Sequence, residues 1–277
     1  MKKFKDKSVV ITGGSEGVGA ATAKKFADAG AKLVLVARGK KKLDTLADEL
    51  RKKTDVIVVA MDVADEEACG SLFRKAEFEF GGIDILVNNA GLHVRGPVAD
   101  VPAADLGRMI DVNIRAPIIL CRLALPYLLK AGDGGAIVNV ASLAGRAPIP
   151  GAATYSASKF ALRCFTLALA EEMSDSDIRF GVVSPGPIDT GFIRDDLDSV
   201  EDIVFSQPMS SAEQVADAIL ELASGKRTEI AMPASSGHLL KLFYLFPSLR
   251  RELRPMFYAK GRKNKEKYRN RLRERGR

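Results

Sequence analysis

Ser8-Val9-Val10-Ile11-Thr12-Gly13-Gly14-Ser15-Glu16-Gly17-Val18-Gly19 is the stretch that decides the fold. A short run of β-branched residues is typical of a buried strand, and glycines after it allow a tight turn into the alanine-rich helix that follows. Such a turn brings backbone N–H groups and the positive end of a helix dipole close to a phosphate. Three glycines alone could make an ordinary turn, but their position between a strand and a helix predicts a dinucleotide site.

The same alternation of strand and helix recurs along the chain. Short apolar runs rich in Val and Ile alternate with longer segments of helical period, which is typical of a parallel sheet covered on both faces. We therefore predict an α/β fold, a doubly wound Rossmann-type parallel sheet of about seven strands with helices on both faces. The predicted strands are 8–12, 32–37, 55–60, 83–87, 134–141, 178–183 and 228–232. The predicted helices are 18–29, 40–53, 65–80, 102–130, 152–174 and 211–224.

This rhythm ends after the last predicted strand. Over residues 233–258, apolar residues recur at spacings of three and four with basic residues between them. That pattern predicts an amphipathic helical segment, interrupted at Pro247 and Pro255. We predict a Rossmann-type catalytic domain over 1–232, an amphipathic C-terminal extension over 233–258 and a basic tail over 259–277.

The positive charge of the chain is concentrated at its end. The formal net charge is +7, and residues 260–277 alone hold ten Lys and Arg against two Glu, so the rest of the chain is close to neutral. A nucleic-acid-binding face on the catalytic domain is therefore disfavoured. Specific nucleic-acid recognition by the tail is disfavoured too, because Tyr268 is the only aromatic residue among its charges.

Cysteine and histidine usage narrows the class of protein further. The three cysteines, Cys69, Cys121 and Cys164, are far apart and odd in number, which favours a reducing compartment over a disulfide framework. With only His93 and His238 available, we expect no metal site. The sequence shows no apolar run of signal-peptide length before the first strand and none that we expect to span a membrane. We therefore expect a cytoplasmic enzyme.

The end of the second predicted strand indicates which cofactor is bound. NAD enzymes place a carboxylate there to accept the ribose 2′-hydroxyl, whereas a 2′-phosphate is better held by a guanidinium group. This chain has Leu35-Val36-Ala37-Arg38-Gly39-Lys40, with no acid at the turn. Arg38 also fits a solvated helix start, but the missing acid and the arginine together favour NADP (NADPH).

Tyr155, Lys159 and Ser142 are the candidate catalytic residues. Tyr155 and Lys159 are four residues apart at the start of a helical pattern, so their side chains share one face. Ser142 follows the fifth predicted strand, at the carboxyl edge where such sheets bind ligands. A free tyrosine has a pKa of about 10, and a neighbouring ammonium group lowers it toward the range of acid–base catalysis. Taken alone, the pair would fit a surface Tyr–Lys contact equally well.

These motifs together resemble the short-chain dehydrogenase/reductase family. Asn88-Asn89-Ala90-Gly91 follows the fourth strand, Pro185-Gly186-Pro187-Ile188-Asp189-Thr190 follows the sixth, and Asn113 lies between them. The resemblance covers residues 7–232, with one small departure, Ala141 before the catalytic serine, where a second serine is frequent in the family. It implies an oxidoreductase that interconverts a carbonyl and a secondary alcohol, with NADP as the cofactor that Arg38 favours, and a homodimer or homotetramer.

The resemblance also implies a role for each motif residue. Tyr155 is expected to be the general acid/base, and Lys159 to bind the nicotinamide ribose and lower the pKa of the tyrosine. Ser142 is expected to orient the substrate carbonyl, and Asn113 to hold a water of the proton relay. Besides Arg38, the residues expected at the cofactor are Gly13, Ser15, Gly17, Val18, Gly19, Asp62, Val63, Asn89, Ala90, Gly91, Tyr155, Lys159, Pro185, Gly186, Ile188 and Thr190.

The C-terminal pattern has two uses that the sequence leaves open. It fits a helix that packs on the core or at a subunit interface. It also fits a peripheral membrane segment, in which residues 239–277 lie on an anionic membrane surface. The extended C-terminus is similar to that of membrane-associated steroid and sphingoid reductases, which favours a lipophilic substrate, steroid-like or a long-chain keto lipid.

Two other classes of function compete with an oxidoreductase. A serine hydrolase is disfavoured, because the stretch around Ser142 lacks the first glycine of a nucleophile elbow. The stronger rival is a non-catalytic, cofactor-binding or scaffold protein on the same fold. The presence of both Tyr155 and Lys159 disfavours it. Substrate identity is not encoded in these motifs, because the substrate is expected to contact the loops 93–102, 143–154 and 190–210.

Overall fold

Seven parallel strands form one sheet in the computed structural model, which describes residues 3–131 and 134–275. The strands are β1 (Ser8–Thr12), β2 (Lys32–Ala37), β3 (Val56–Ala60), β4 (Ile85–Asn88), β5 (Ala136–Val140), β6 (Arg179–Pro185) and β7 (Glu229–Met232). Their order across the sheet is β3-β2-β1-β4-β5-β6-β7, and all neighbours are parallel. The predicted Rossmann-type α/β fold is confirmed.

The helices connect successive strands, as crossovers between parallel strands require. They are α1 (Gly17–Asp28), α2 (Lys40–Leu50), α3 (Glu66–Phe80), α4 (Ala103–Ile110), α5 (Ala116–Lys130), α6 (Ala153–Glu172), α7 (Gly191–Arg194), α8 (Ala212–Ser224), α9 (Ala234–Leu245) and α10 (Pro247–Arg275). A π-helical turn, Asp111–Arg115, joins α4 to α5. Short 3-10 turns lie at Leu143–Gly145, Leu197–Ser199 and Asp202–Ser206.

Apolar side chains fill both faces of the sheet. On one face α1, α2 and α8 pack through residues such as Phe26 and Ile219, and on the other α3, α5 and α6 pack through residues such as Phe73 and Leu120. Each of these four side chains is fully buried. Burying one side chain of this size stabilises the fold by about 1.5–3 kcal/mol, so the two helical layers stabilise the sheet between them.

The order of the strands reverses between β1 and β4. The chain runs outward from β1 to β3, then returns to place β4 on the other side of β1. A crevice opens at such a switch point, beyond the carboxyl ends of the strands. The segments that follow β1, β4, β5 and β6 all begin at this edge, which brings the predicted motifs to one place.

The helical stretch Ala103–Lys130, formed by α4, the π turn and α5, is long and apolar enough to cross a membrane. Length and composition alone do not decide the expectation that no run of the sequence spans a membrane. Half of its most apolar part is buried inside the fold, where Leu120 and Leu128 pack against the sheet. Burial of this kind is typical of a core helix, which passes the same test of length and composition as a membrane span.

The C-terminal segment forms two helices. α9 ends at Leu245 and Pro247 is the first residue of α10, a position where the missing N–H of proline is tolerated. The interruption predicted at Pro255 is wrong, since α10 continues through it. Pro255 and Arg251 are both exposed, so water can reach the carbonyl that loses its helical partner. α10 also runs through the predicted boundary at 258, and the division of the chain into three segments stays a prediction.

The basic tail is docked on the body of the protein. Gly261 lies so close to the turn at Asp202 that an added Cβ would stand 1.9 Å from its main-chain oxygen. Lys265 Nζ donates to the main-chain oxygens of Val200 at 2.6 Å and Asp198 at 3.2 Å. Tyr268, only 4% exposed, packs in a small apolar cluster with residues of the segment 193–205. This half of α10 therefore covers the loop that follows β6.

Candidate active site

The turn after β1 is shaped by two glycines that have different reasons to be there. Gly13 has a φ of +62°, which L side chains rarely adopt. At Gly19 an added Cβ would stand 2.0 Å from the main-chain oxygen of Gly13, so α1 can approach the turn only without a side chain. The side chain of Glu16, which precedes α1, forms no capping hydrogen bond. The first N–H groups of α1 are thus left for a ligand, and an anion fits there.

The segment after β4 is fixed to this turn by hydrogen bonds. Thr12 Oγ1 accepts from the backbone N–H groups of Asn89 and Ala90, both at 3.0 Å. In return, Asn89 Nδ2 donates to the main-chain oxygens of Thr12 at 2.9 Å and Gly13 at 3.2 Å. Two predicted cofactor-binding motifs are thereby held together across the switch point.

The corner beyond β2 and β3 is rich in cations. Arg38 is exposed and borders the cleft, and no carboxylate follows β2 within this turn. Nearby, Lys42 Nζ pairs with Glu16 at 2.6 Å. Asp62 accepts from the backbone N–H of Ala64 at 3.0 Å and forms an ion pair with Arg108, which the sequence motifs did not indicate.

Ser142, Tyr155 and Lys159 meet at the carboxyl end of β5. Lys159, only 4% exposed, donates from Nζ to the main-chain oxygen of Val140 at 3.0 Å, and Nζ lies 5.8 Å from the centroid of the Tyr155 ring. Ser142 Oγ accepts from the backbone N–H of Ala144 at 3.1 Å. The three side chains border the same cleft, with Gly91 facing Lys159 across it.

Burial dominates the titration of this cluster. It lowers the pKa of Lys159 to about 8, and it raises the pKa of Tyr155 above its ordinary value. The hydrogen bond with Ser142 and the positive charge of Arg95 act in the opposite direction on the tyrosine. Tyr155 is therefore protonated at neutral pH, and Lys159 is mostly charged there. The group predicted to lower the tyrosine pKa was Lys159, and that role stays a prediction.

Asn113 lies behind the cleft in the π turn. Its Oδ1 accepts from the backbone N–H of Leu92 at 2.8 Å, and its Nδ2 donates to the Leu92 oxygen at 2.8 Å and to Ser158 Oγ at 3.1 Å. Both amide hydrogens are thus used, and the side chain has only an oxygen lone pair left for a water. π turns of this kind are frequent at functional sites.

A buried polar chain fixes α6 against the strands. Asn88 Nδ2 donates to Asn139 Oδ1 at 2.9 Å, and Asn139 Nδ2 donates to Thr166 Oγ1 at 2.8 Å. All three residues are buried. Because a buried polar group without a partner costs about 1–3 kcal/mol, the chain fixes one register of α6, which bears Tyr155 and Lys159.

His93, Arg95 and Phe192 surround Tyr155, and the sequence motifs pointed to none of them. The His93 ring stacks on Tyr155 with centroids 4.0 Å apart, and its buried Nε2 has no hydrogen-bond partner among the described residues. Burial and the charge of Arg95 lower the pKa of His93 to about 3, so it is neutral. Arg95 donates to His93 Nδ1 at 3.0 Å and to the Phe192 oxygen at 2.9 Å. All three lie in the loops expected to contact the substrate.

One cleft of about 1530 Å³ contains these features. A single small-molecule site occupies about 300–1,000 Å³, so the cleft has room for a dinucleotide and a second molecule. Every predicted site residue borders it except Gly19 and Asn113, which lie behind it. The C-terminal helices contribute residues that the motifs did not include, namely Leu240, Phe243, Arg250, Arg251, Arg254 and Phe257.

A glycine turn at the switch point of a parallel sheet is how many dinucleotide-dependent oxidoreductases bind their cofactor, and fold and site assign the chain to that class. The family model described as short chain dehydrogenase matches residues 7–200. The chain belongs to the short-chain dehydrogenase family, whose members are oxidoreductases that use NAD or NADP. The family resemblance read from the motifs is thereby confirmed, whereas the likeness of its C-terminus to membrane-associated reductases stays a prediction.

Several relatives support this assignment. The chain is 40% identical to sulfoacetaldehyde reductase 2 of Chromohalobacter salexigens over 66% of this chain and 73% of that protein. It is 34% identical to an uncharacterized oxidoreductase of Bacillus subtilis over 90% of this chain and 71% of that protein. A crystal structure of a short-chain type dehydrogenase/reductase from Mycobacterium marinum matches with a TM-score of 0.76 and 29% identity, over 82% of this chain and 94% of that one.

Proposed function

We propose that the protein is an NADP-dependent enzyme that interconverts a carbonyl and a secondary alcohol, with Tyr155 as general acid/base. One observation carries the proposal. Ser142, Tyr155 and Lys159 border the same cleft as the glycine turn after β1, so a proton donor and a dinucleotide site face one another. The rival is a non-catalytic scaffold on the same fold, which has no need for a buried lysine beside a half-buried tyrosine.

Each residue has a part that follows from its surroundings. The bound cofactor supplies or accepts the hydride. Ser142 is placed to hold the carbonyl oxygen, and Tyr155, which is protonated at neutral pH, donates its Oη proton to that oxygen during reduction. Lys159 stabilises the phenolate that remains, because a cation near a phenol favours its charged form. The remaining lone pair of Asn113 is available for a water that returns the proton.

NADP is the proposed cofactor because of the corner beyond β2. Arg38 is free to form a charge-assisted hydrogen bond with a 2′-phosphate, since no ion pair joins it to another described residue. Glu16, an acid that borders the cleft from the turn after β1, pairs with Lys42 at 2.6 Å. The sides of the cleft near Gly13, Ser15, Gly17, Val63, Ile188 and Thr190 complete the proposed cofactor site.

The proposed substrate is a lipophilic ketone or alcohol, steroid-like or a long-chain keto lipid. Leu240, Phe243 and Phe257 give the cleft an apolar wall, which supports this choice. The related protein of C. salexigens is named for reduction of an aldehyde, and the same direction is proposed here. The decisive experiment is an NADPH-oxidation screen over ketosteroids, long-chain 3-keto lipids and small aldehydes. A scaffold would bind NADPH and oxidise none of them.

The proposed location is the cytoplasm, with the C-terminal surface at an anionic membrane. Tyr244, Leu245 and Phe246 are each more than half exposed, and lysines and arginines surround them. Such a surface inserts apolar rings while its cations contact headgroups. Flotation with liposomes that contain anionic lipid tests this. A variant with serine at these three positions is expected to stay at the bottom of the gradient. Equal flotation of both chains would dismiss a role of these side chains, and a wild type that does not float would dismiss membrane binding.

A homodimer or homotetramer is proposed as well. Ile118 and Leu129 on α5 are exposed, at 40% and 58%, although α5 is otherwise a core helix. Apolar residues on an exposed helix face are typical of subunit interfaces. Light scattering after gel filtration gives the mass, and Ile118→Glu is expected to lower it to that of a monomer.

A further inference from the structure

The cleft has a cationic rim that the proposed reaction does not use. Arg250, Arg251 and Arg254 border it from α10. We infer that the substrate carries an anionic group at one end of an apolar segment, and that these three arginines bind that group. The inference rests on the proposed carbonyl reduction and specifies the substrate class of the same site.

The three arginines differ from the other cations of α10. Arg262 pairs with Asp202 at 3.3 Å, Arg269 pairs with Asp198 at 2.6 Å, and Lys265 is bound by main-chain oxygens. Those cations attach the helix to the body of the protein. Within residues 3–131 and 134–275, by contrast, no ion pair involves the three rim arginines. Arg254 lies over the Tyr258 ring, 5.2 Å from its centroid, and this contact with the face of the guanidinium leaves its N–H groups free. The three guanidinium groups therefore remain available for an anionic ligand.

Helix stability does not account for this cluster. Arg250 and Arg254 are four residues apart, and like charges at that spacing destabilise a helix by about 0.2–0.5 kcal/mol. Among the described residues, no ion pair joins these arginines to the acids of the loop after β6: Asp196 pairs with Arg95 at 2.8 Å, Glu201 accepts from Tyr258 at 3.4 Å, and Asp195 borders the cleft without an ion pair. An anion that enters the cleft thus meets unpaired guanidinium groups.

The path from the rim to the catalytic centre is apolar. Phe243, which is buried, packs edge-on against Phe257 with ring centroids 5.5 Å apart, and Leu240 borders the cleft beside them. A carbonyl at Tyr155 and an anion at the arginines would therefore be joined by a hydrocarbon segment along this wall. Guanidinium groups bind carboxylate and phosphate oxygens in bidentate geometry, so either end group fits the rim.

The experiment compares substrates that differ only in the end group. NADPH-dependent reduction of 9-oxodecanoate, a ketone that gives a secondary alcohol, is measured beside reduction of its methyl ester and of 9-oxodecyl phosphate. The wild-type chain is expected to prefer an anionic ketone over the ester by about tenfold or more in kcat/KM, as one charged hydrogen bond provides. Comparing the preference for the carboxylate with the preference for the phosphate shows which of the two end groups the arginines bind better. The preference is expected to shrink in salt, because the rim is open to solvent.

A triple variant, Arg250→Gln, Arg251→Gln and Arg254→Gln, is expected to abolish the preference through KM while turnover of the ester is unchanged. The matched control removes three exposed cations from the same helix outside the cleft, Lys260→Gln, Lys263→Gln and Lys267→Gln, and is expected to keep the preference. Equal kcat/KM for acid and ester in the wild type overturns the inference. So does a preference that survives the arginine variant.

Calorimetric titration of decanoate into the full chain separates this inference from the proposed function. Decanoate has no carbonyl to reduce, so its binding does not depend on turnover. Binding that the arginine variant loses and the lysine control keeps supports the inference even when no ketone is reduced, in which case the proposed reaction is wrong. Binding that is the same in all three chains overturns the inference, whatever the turnover.

Discussion

The two ends of the cleft are built in different ways. The proposed cofactor end consists of short contiguous motifs that follow neighbouring strands, and Thr12 and Asn89 join them directly. The proposed substrate end is assembled from distant parts of the chain, in which the loop around His93, the loop after β6 and the C-terminal helices meet. The family model covers residues 7–200 and so includes the first end completely. The helices that finish the second end lie beyond it.

We therefore expect the residues that carry out the reaction to be separable from those that select the substrate. The turn, the serine and the Tyr–Lys pair need local spacing and a sheet edge, and many sequences of one family can keep them. The substrate end depends on how α9 and α10 pack, which can change without disturbing the reaction. Four substitutions test whether the two ends are in fact separable, beginning with the residue at which they meet.

Tyr155→Phe is expected to have the largest effect. General acid–base catalysis contributes about 10²–10⁴-fold, so kcat should fall by that factor when the proton donor is removed. Cofactor affinity should remain, because the glycine turn is untouched. Stopped-flow or steady-state NADPH oxidation gives kcat, and fluorescence titration gives the Kd of NADPH. Tyr127→Phe is the control, since it makes the same change on α5, away from the cleft. Near-normal kcat in Tyr155→Phe would refute the mechanism.

Lys159→Met is expected to increase the free energy of unfolding, because burial of the charged lysine destabilises the folded chain. The folded-state pKa of about 8 lies below the ordinary 10.5, so folding disfavours the charged lysine. That penalty is fully present below pH 8 and disappears as the pH rises to 10.5. It amounts to about 3 kcal/mol.

The measurement is urea unfolding of the chain without cofactor at several pH values. At pH 7 the free energy of unfolding of Lys159→Met should exceed that of the wild type. This difference should decrease by about 3 kcal/mol between pH 7 and pH 10.5. Lys267→Met, at an exposed position of α10, should show no such pH dependence. A constant difference between Lys159→Met and the wild type would mean that the lysine is not buried in its charged form.

Arg38→Asp is expected to change the cofactor end alone. Removing one charged hydrogen bond and adding a carboxylate should lower the NADP/NAD ratio of kcat/KM by about 10- to 100-fold. KM for the carbonyl substrate should stay the same, because the proposed apolar substrate wall consists of Leu240, Phe243 and Phe257 and does not include Arg38. Lys41→Asp places the same charge on the next turn, outside the cleft, as a control. Unchanged NADP preference in Arg38→Asp would sink the assignment of the cofactor.

Sequence patterns predicted the sheet and the cofactor end because both depend on local rules. Buried parallel strands read as apolar runs, and the conformation of Gly13 and the close approach at Gly19 each demand glycine. His93 and Arg95 could not be predicted, because nothing in a loop sequence states which ring will stack on Tyr155. Their place follows from tertiary contacts that no local spacing encodes.

The high charge of the second half of α10 kept the sequence from predicting that this half packs on the body of the protein. Gly261, Lys265, Tyr268 and Leu272 are spaced by four, three and four residues, which is one face of a helix. That face holds a glycine, a tyrosine and a leucine, but ten cations in the same stretch made it resemble a solvated tail. The helix is attached by hydrogen bonds from Lys265 to main-chain oxygens, and such bonds leave no pattern in the sequence.

Tyr268→Phe is expected to have the smallest effect and to tell most about the coupling of the two ends. Tyr268 Oη donates to Asp189 Oδ1 at 2.5 Å, and Asp189 lies between Ile188 and Thr190, which border the proposed cofactor site. Burial and the Asp189 carboxylate raise the pKa of Tyr268, so it remains a donor from neutral to alkaline pH. The loss should cost about 1–2 kcal/mol of unfolding free energy.

The kinetic consequence distinguishes a positioned loop from an independent appendage. If α10 holds the loop after β6 in place, Tyr268→Phe should raise the KM for the carbonyl substrate several-fold. The kcat should stay nearly unchanged, because Ser142, Tyr155 and Lys159 do not move. Hydrogen exchange of residues 189–205 should become faster in the same variant. Tyr244→Phe removes the hydroxyl of an exposed tyrosine on α9 and should alter neither quantity. If Tyr268→Phe also leaves KM and exchange unaltered, α10 only covers the loop, and the substrate end owes its shape to the body of the protein alone.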